Sequence, residues 1–318
     1  MPRVVVTRRL PEGGLDPLAR DGYEIVPSED DIPLDHGQLC DAARSSEAIV
    51  CLLTDRIDRA VLESGAQGGR LRVVANVAVG YDNIDVTAAD ELGIAVCNTP
   101  GVLDETTADL AFLLILAAAR LASDAERDLR AGAWHGWGIN QYLGVDVHGA
   151  TLGLVGYGRI GQAVARRAAG FSMNVLHHSR TPTGMPGYVA DLHELLGEAD
   201  VVSLHVPLDD RTRHLIGTAE LESMKPTAVL VNTARGPVVD EAALVDALER
   251  GTIFAAGIDV FEEEPKVHPQ LLNAPRVVLL PHIGSASVAT RTRMARVACE
   301  GVRTVLSGER PENLVTAR

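Results

Sequence analysis

Thr151-Leu152-Gly153-Leu154-Val155-Gly156-Tyr157-Gly158-Arg159-Ile160-Gly161-Gln162 is the stretch that decides the fold. A short apolar run leads into Gly-x-Gly-x-x-Gly, and a helical pattern over 162–169 opens straight after it. Gly156 permits a tight turn, Gly158 lets the main chain approach a pyrophosphate, and Gly161 lets the helix pack closely on the strand. The helix N-terminus then offers free N–H groups and the positive end of its dipole to phosphates. The glycine spacing alone also fits a plain glycine-rich turn; the strand before it and the helix after it favour a dinucleotide loop.

Outward from this loop, β-branched runs alternate with helical patterns. Downstream, strands are predicted at 152–155, 174–176, 201–205, 228–232, 255–259 and 277–280, with a helix over 241–250 that Asp240 caps and Gly251 stops. Six strands in this span make a complete doubly wound nucleotide-binding domain. Upstream, runs at 4–6, 24–26, 48–53, 72–75 and 94–97, each bounded by Gly, Pro, Asp or Ser, repeat the βαβ pattern of a parallel sheet. Between the two series, 106–130 is Ala/Leu-rich, with Leu110, Leu113, Leu114, Ala117 and Leu121 at helical spacing. One long helix is predicted there, coupling two domains or covering a dimer face, or simply buried. A final helix over 287–306 follows the last strand; if it packs on the N-terminal sheet, the chain crosses between domains twice.

The whole chain has 318 residues, and at roughly 150 residues per domain it divides into two. Its 29 Lys+Arg face 43 Asp+Glu, a net charge of −14, which argues against nucleic acid and anionic membrane as partners. Cys40, Cys51, Cys97 and Cys299 form no CxxC pair, so neither a zinc site nor a disulfide framework is expected. The apolar run 110–119 is too short to span a bilayer and the N-terminus lacks a signal-peptide core. A cytoplasmic protein is the expectation.

The strand after the glycine loop ends His177-His178-Ser179-Arg180-Thr181. An NAD enzyme usually carries Asp or Glu near this point, accepting from the ribose hydroxyls. No acid stands here, whereas Ser179, Arg180 and Thr181 supply a cation and hydroxyl donors suited to a 2′-phosphate. NADP(H) is therefore expected in preference to NAD(H), against the alternative that Arg180 is a solvated loop cation. The adjacent histidines read as structural rather than as metal ligands, since no third ligand is near.

Three further segments fall at predicted strand ends, where ligands bind in open α/β sheets: Asn232-Thr233-Ala234-Arg235-Gly236, Asp259-Val260-Phe261-Glu262-Glu263-Glu264-Pro265, and Pro281-His282-Ile283-Gly284. Beside a nicotinamide, an Arg, a Glu and a His form a coherent set for reducing a 2-oxo acid. The Arg binds the carboxylate and polarises the ketone, the His protonates the oxygen, and the Glu orients the imidazole and favours its charged form. Singly, Arg235 or Glu264 would more often be a structural ion pair.

Through 156–162, 232–236, 257–265 and 281–287 (Gly-Tyr-Gly-Arg-Ile-Gly-Gln, Asn-Thr-Ala-Arg-Gly, Gly-Ile-Asp-Val-Phe-Glu-Glu-Glu-Pro and Pro-His-Ile-Gly-Ser-Ala-Ser) the chain resembles the D-isomer-specific 2-hydroxyacid dehydrogenases, most closely their glyoxylate/hydroxypyruvate reductase branch. The resemblance implies that Arg235 binds substrate, that Glu264 partners the catalytic His282, and that Asp259 holds the nicotinamide carboxamide. It places Thr107, Arg159, Ile160, Val206, Pro207, Thr212, Thr233, Ala234 and Gly284 with the glycine loop around the cofactor. Val79 and Gly80, in Asn76-Val77-Ala78-Val79-Gly80, match the loop whose N–H groups receive the substrate carboxylate, and Leu53 matches an apolar residue over the substrate. Trp137, in Trp134-His135-Gly136-Trp137, matches a tryptophan that reaches the neighbouring subunit's site; packing of a dimer interface is the other reading.

The fold implied is α/β, two doubly wound parallel-sheet domains of Rossmann or flavodoxin-like type with a cleft between them. Residues 1–100 plus 286–318 would form the substrate domain, and 101–285 the cofactor domain, including the hinge and dimer helix near 106–130. The expected activity is NADPH-dependent reduction of glyoxylate and hydroxypyruvate to glycolate and D-glycerate by a homodimer. The alternatives are a D-2-hydroxyacid dehydrogenase of other substrate, a phosphite dehydrogenase-like enzyme (which carries a lysine where this chain has Val79), and a corepressor-like dinucleotide sensor.

Overall fold

The computed structural model describes residues 1–19, 21–28 and 31–316. The chain divides into two compact units, Met1–Leu103 with Ser285–Arg318, and Asp104–Gly284. The first holds β1 (Arg3–Val6), β2 (Glu24–Pro27), β3 (Ala48–Cys51), β4 (Val73–Asn76) and β5 (Ala95–Cys97). The second holds β6 (Thr151–Val155), β7 (Asn174–His178), β8 (Val201–Leu204), β9 (Val229–Asn232), β10 (Ala255–Ile258) and β11 (Val277–Leu279). A last strand, β12 (Leu314–Val315), returns to the first unit.

In the first unit the sheet order is β12-β5-β4-β3-β1-β2, parallel except where β12 runs against β5. β3 and β4 are buried at every position, as expected of strands covered on both faces by helices. The Val288–Leu306 helix, capped by the Ser287 hydroxyl on the Thr290 N–H, packs on β3, β4 and β5. The chain thus returns to the first unit after the second. β12 escaped the sequence reading because two residues carry no periodicity.

The second sheet runs β11-β10-β9-β8-β6-β7, all parallel. Outside β7, a single parallel bridge joins His177 to Tyr188, so a vestigial strand extends the sheet by one position. The strand order reverses between β6 and β8, which makes the carboxyl end of β6 the switch point where such sheets bind ligands. Leu195, Leu204, Leu230 and Leu244 build the core on one face, and Leu114, Ile115, Leu152 and Leu154 the core on the other. Asp240 caps the Glu241–Arg250 helix through the Ala243 N–H, and Gly251 ends it in the left-handed region, as the sequence indicated.

The single long helix expected over 106–130 is corrected. Two helices, Asp104–Ala119 and Ala122–Arg130, meet at a bend of 68°. The Ala119 carbonyl accepts the Val145 N–H at 2.9 Å instead of continuing the helical ladder, and Leu121 turns to φ +52°. Nothing in the apolar spacing records a carbonyl captured by a segment 26 residues downstream. No single helix among the described residues is long and apolar enough to cross a membrane.

Candidate active site

The glycine loop leaves β6 and enters the Arg159–Ala168 helix. Gly156 lies at φ +97°, and a Cβ there would stand 2.7 Å from the His205 carbonyl carbon and oxygen. At Gly161 a Cβ would stand 2.3 Å from the Gly156 oxygen, so the turn and the helix can meet only at a glycine. Gly158 differs, because a Cβ there would meet no atom within 4 Å. It is the helix N-cap and offers no side chain to the first-turn N–H groups, which are left for an outside acceptor.

At the carboxyl end of β7, Ser179 donates its hydroxyl to the Thr181 carbonyl at 2.7 Å, so that donor is committed within its own loop. Arg180 reaches Asp209 at 3.4 Å, and Arg211 reaches the same carboxylate oxygen at 3.2 Å. Thr212 receives the Asp209 N–H and donates to the Pro207 carbonyl, which fixes the turn after Val206. His177 and His178 take separate structural partners. His177 is fully buried, stacks on Tyr157 at 3.9 Å and pairs with Thr183, while His178 meets the Val189 carbonyl.

Beyond β9, Asn232 ties the Thr233–Arg235 turn together. Its Oδ1 accepts the Ala234 N–H at 3.0 Å and its Nδ2 donates to the Arg235 carbonyl at 2.9 Å. The Thr233 hydroxyl is buried with no partner, an orphan that a bound polar group would satisfy. Gly236 packs where a Cβ would lie 1.9 Å from the Phe261 carbonyl carbon, so the arginine turn sits directly on the Phe261–Glu262 peptide.

The loops after β10 and β11 are joined by three side chains. Asp259, 1% exposed, accepts the Ile283 N–H on one oxygen and the Gly284 N–H on the other, both at 2.8 Å. Each oxygen keeps a second lone pair for a further donor. Burial pushes the Asp259 carboxyl up to about 6, against the two N–H bonds and the charge of His282. His282 itself holds a left-handed backbone, φ +53°, with its N–H donated to the Asp259 carbonyl at 2.8 Å. A non-glycine residue in that region is held there by its surroundings.

Nδ1 of His282 stands 2.8 Å from Oε2 of Glu264, and Oε1 of Glu264 accepts the Phe261 N–H at 3.0 Å. Burial alone would raise the Glu264 carboxyl. The bond and charge of His282, the Phe261 N–H and the charge of Arg235 outweigh it and hold that carboxyl below its ordinary value. A carboxylate on Nδ1 leaves Nε2 to carry the proton that moves. Thr107, 4% exposed, lies beside the same turn, its Oγ1 3.6 Å from where a Gly284 Cβ would be.

The second unit therefore brings together Thr107, Asp259, Glu264, His282 and Gly284, with the charge of Arg235 reaching Glu264. The open approach to Gly158 and the orphaned Thr233 hydroxyl fit a dinucleotide along the strand ends. Leu53, Val79 and Gly80 belong to the first unit, at the carboxyl ends of β3 and β4, and are half-buried. The Leu53 segment is anchored through Asp55, which accepts the Thr7 hydroxyl and the Leu52 N–H. Trp137 is 80% exposed in the loop before β6. Sequence reasoning missed the Phe261 N–H under Glu264 and the carboxylate of Asp209 beside Arg180. The first is a main-chain group, and the second lies 29 residues from its partner.

Residues 112–284 match the family described as D-isomer specific 2-hydroxyacid dehydrogenase, NAD binding domain. The chain is 49% identical over 324 residues to a glyoxylate reductase of Korarchaeum cryptofilum, covering 99% of this chain and 96% of that one. It is 45% identical over 323 residues to a glyoxylate reductase of Thermococcus litoralis, with the same two coverages. Among solved structures, the NADPH-dependent glyoxylate/hydroxypyruvate reductase of Sinorhizobium meliloti in complex with NADP and malonate superimposes with a TM-score of 0.85. That protein is 35% identical, with 99% of this chain and 96% of that chain covered.

Proposed function

The chain belongs to the D-isomer specific 2-hydroxyacid dehydrogenases and is an NAD(P)-dependent dehydrogenase, and from that premise we propose that it reduces glyoxylate and hydroxypyruvate with NADPH as its preferred reductant. The observation that carries the reading is the 2.8 Å pair of His282 and Glu264 at the strand ends, with the charge of Arg235 beside it. Similarity to glyoxylate reductases, and to a reductase solved with NADP and malonate, supports the substrate class.

When bound, the reduced nicotinamide supplies the hydride that the keto carbon receives. Arg235 binds the 2-oxo acid through its carboxylate and polarises the carbonyl, a charge-assisted contact of the strong kind. His282 gives the developing alkoxide its proton from Nε2, while Glu264 holds the ring by Nδ1 and stabilises the imidazolium from which the proton leaves. Asp259 fixes the 282–284 turn through two N–H bonds and keeps lone pairs for the carboxamide. The Val79 and Gly80 N–H groups receive the substrate carboxylate, and Leu53 covers its apolar side. Arg180 meets the 2′-phosphate, for which it exchanges Asp209. The enzyme works as a cytosolic homodimer.

The test is oxidation of NADPH and, separately, of NADH by glyoxylate, hydroxypyruvate and pyruvate. Rapid loss of NADPH with glyoxylate or hydroxypyruvate, and slow loss of NADH, is the expected result. Fast turnover with NADH alone overturns the cofactor preference and keeps the family. No turnover with any pair, alongside tight dinucleotide binding, favours a sensor.

A further inference from the structure

In the first unit, a chain of amide side chains runs from the C-terminal segment to the loop after β4. The Asn98 N–H donates to the Asn313 carbonyl at 3.2 Å, and the Asn313 side chain donates back to the Asn98 carbonyl at 2.7 Å. Asn98, 9% exposed, then gives its Nδ2 to the Val79 carbonyl at 2.7 Å. The next residue, Thr99, gives its main-chain N–H to the Ala78 carbonyl at 2.9 Å. Asn76, fully buried, gives its Nδ2 to the Gly80 carbonyl at 2.8 Å.

In a trans peptide the C=O of one residue and the N–H of the next point in opposite directions. With the Ala78 and Val79 carbonyls both drawn to the 98–99 segment, the N–H groups of Val79 and Gly80 both turn away from it. Neither N–H finds an acceptor among the described residues. Two adjacent N–H groups on one side form a concavity that favours an anion.

We propose that Asn98, itself braced by Asn313, is a positioning residue for the substrate carboxylate: it fixes the Val79–Gly80 peptide so that both N–H groups face the same anion. The proposal rests on the reading of Val79 and Gly80 as the carboxylate site. It gives the return of the chain to the first unit a task at that site, since Asn313 lies just before β12. Without the Asn98 donor the peptide is free to rotate, and one N–H leaves the anion. The loss then falls on binding more than on chemistry.

The experiment compares the wild-type chain with Asn98→Ala and Asn98→Asp. The aspartate keeps the shape and sets an oxygen against the Val79 carbonyl. Kinetics with glyoxylate and NADPH are measured together with calorimetric binding of oxalate and of NADPH and with thermal midpoints. In Asn98→Ala, the glyoxylate KM and the oxalate Kd rise about tenfold, the loss expected for one charged hydrogen bond. The kcat changes less than about threefold and the NADPH Kd less than about twofold, while Asn98→Asp is worse on KM and oxalate alike. A lowered thermal midpoint with KM and oxalate Kd held within about twofold makes Asn98 merely structural and overturns the proposal. Wild-type protein that neither reduces glyoxylate nor binds oxalate overturns the functional reading, and the proposal with it.

Discussion

Oε2 of Glu264 and Nδ1 of His282 stand 2.8 Å apart, and the other oxygen of the same carboxylate is held by the Phe261 N–H. The acid is thereby fixed on both oxygens and the imidazole on one nitrogen. This arrangement carries two predictions for activity. Glu264→Gln keeps the shape but removes the carboxylate that holds the His282 ring, so kcat/KM falls by about tenfold or more. His282→Ala costs ~10²–10⁴-fold in kcat/KM, with the cofactor Kd little changed. Steady-state kinetics and cofactor titration of the two variants check both statements, and an unchanged kcat/KM in Glu264→Gln contradicts the pairing.

Asp259 gives a stability prediction of definite sign. Its folded-state pKa, about 6, lies above the ordinary 3.8, so the fold favours the neutral acid. The stabilisation from that preference is complete below pH 3.8 and is lost as pH rises through 6. The amount lost is on the order of 3 kcal/mol. Asp259→Asn does not titrate there, so its thermal midpoint relative to wild type climbs between pH 4 and pH 7, whatever the fixed cost of the lost N–H acceptor. A constant offset across that range counts against the buried charge. Scanning calorimetry at a series of pH values decides it.

Arg180 and Arg211 share one carboxylate oxygen of Asp209. If Arg180 meets the 2′-phosphate, Arg180→Ala weakens NADPH by about 10- to 100-fold, the range for a charge-assisted bond, and leaves NADH nearly unchanged. Asp209→Asn removes a competing anion and tightens NADPH selectively. Calorimetric titration with 2′,5′-ADP and with ADP reads the discrimination without turnover. Equal losses for both ligands in Arg180→Ala remove the phosphate contact.

Gly236→Ala tests the packing of the arginine turn on the Glu264 loop. The new Cβ would sit 1.9 Å from the Phe261 carbonyl carbon, which is main chain and cannot swing aside. Overpacking of this kind costs about 1–3 kcal/mol, a fall of roughly 2–4 °C in thermal midpoint per kcal/mol for a unit of this size. Because Phe261, displaced with that peptide, holds Glu264 through its N–H, kcat falls as well. A variant as stable and as active as wild type would show that the two loops are independent.

The sequence carried the parts of this molecule that local chemistry dictates. The glycine spacing around Gly156, the Asp240 cap and the Gly251 stop each depend on a few neighbouring residues, and the structure has all three. What it hid depends on distant partners. The helix break at Leu121 follows from the Ala119 carbonyl turning to Val145, and the orientation of the Val79–Gly80 peptide depends on Asn98 and Asn313. Arg180 reads as a free cation in sequence because Asp209 becomes its neighbour only when β7 and β8 flank β6.

Leu113, Leu129, Trp134, Trp137, Ile139 and Leu143 are all exposed, Trp137 by 80%, and fall in the stretch of chain from the Asp104–Ala119 helix to the loop before β6. Exposed large apolar side chains are what an interaction surface presents, and aromatic residues are enriched in the cores of such surfaces. A second copy of the chain covers these side chains in the proposed homodimer. Sedimentation then gives twice the chain mass of 33.8 kDa, and Leu143→Asp gives the single chain. Trp134 and Trp137 are the chain's only tryptophans, so intrinsic fluorescence reports this segment alone. Its emission shifts to the red on dilution and in Leu143→Asp, as both indoles meet water. Trp137→Ala separates its two roles: a changed preference between hydroxypyruvate and bulkier 2-oxo acids places the indole at the partner's substrate, whereas unchanged preference with weaker association leaves it as interface packing.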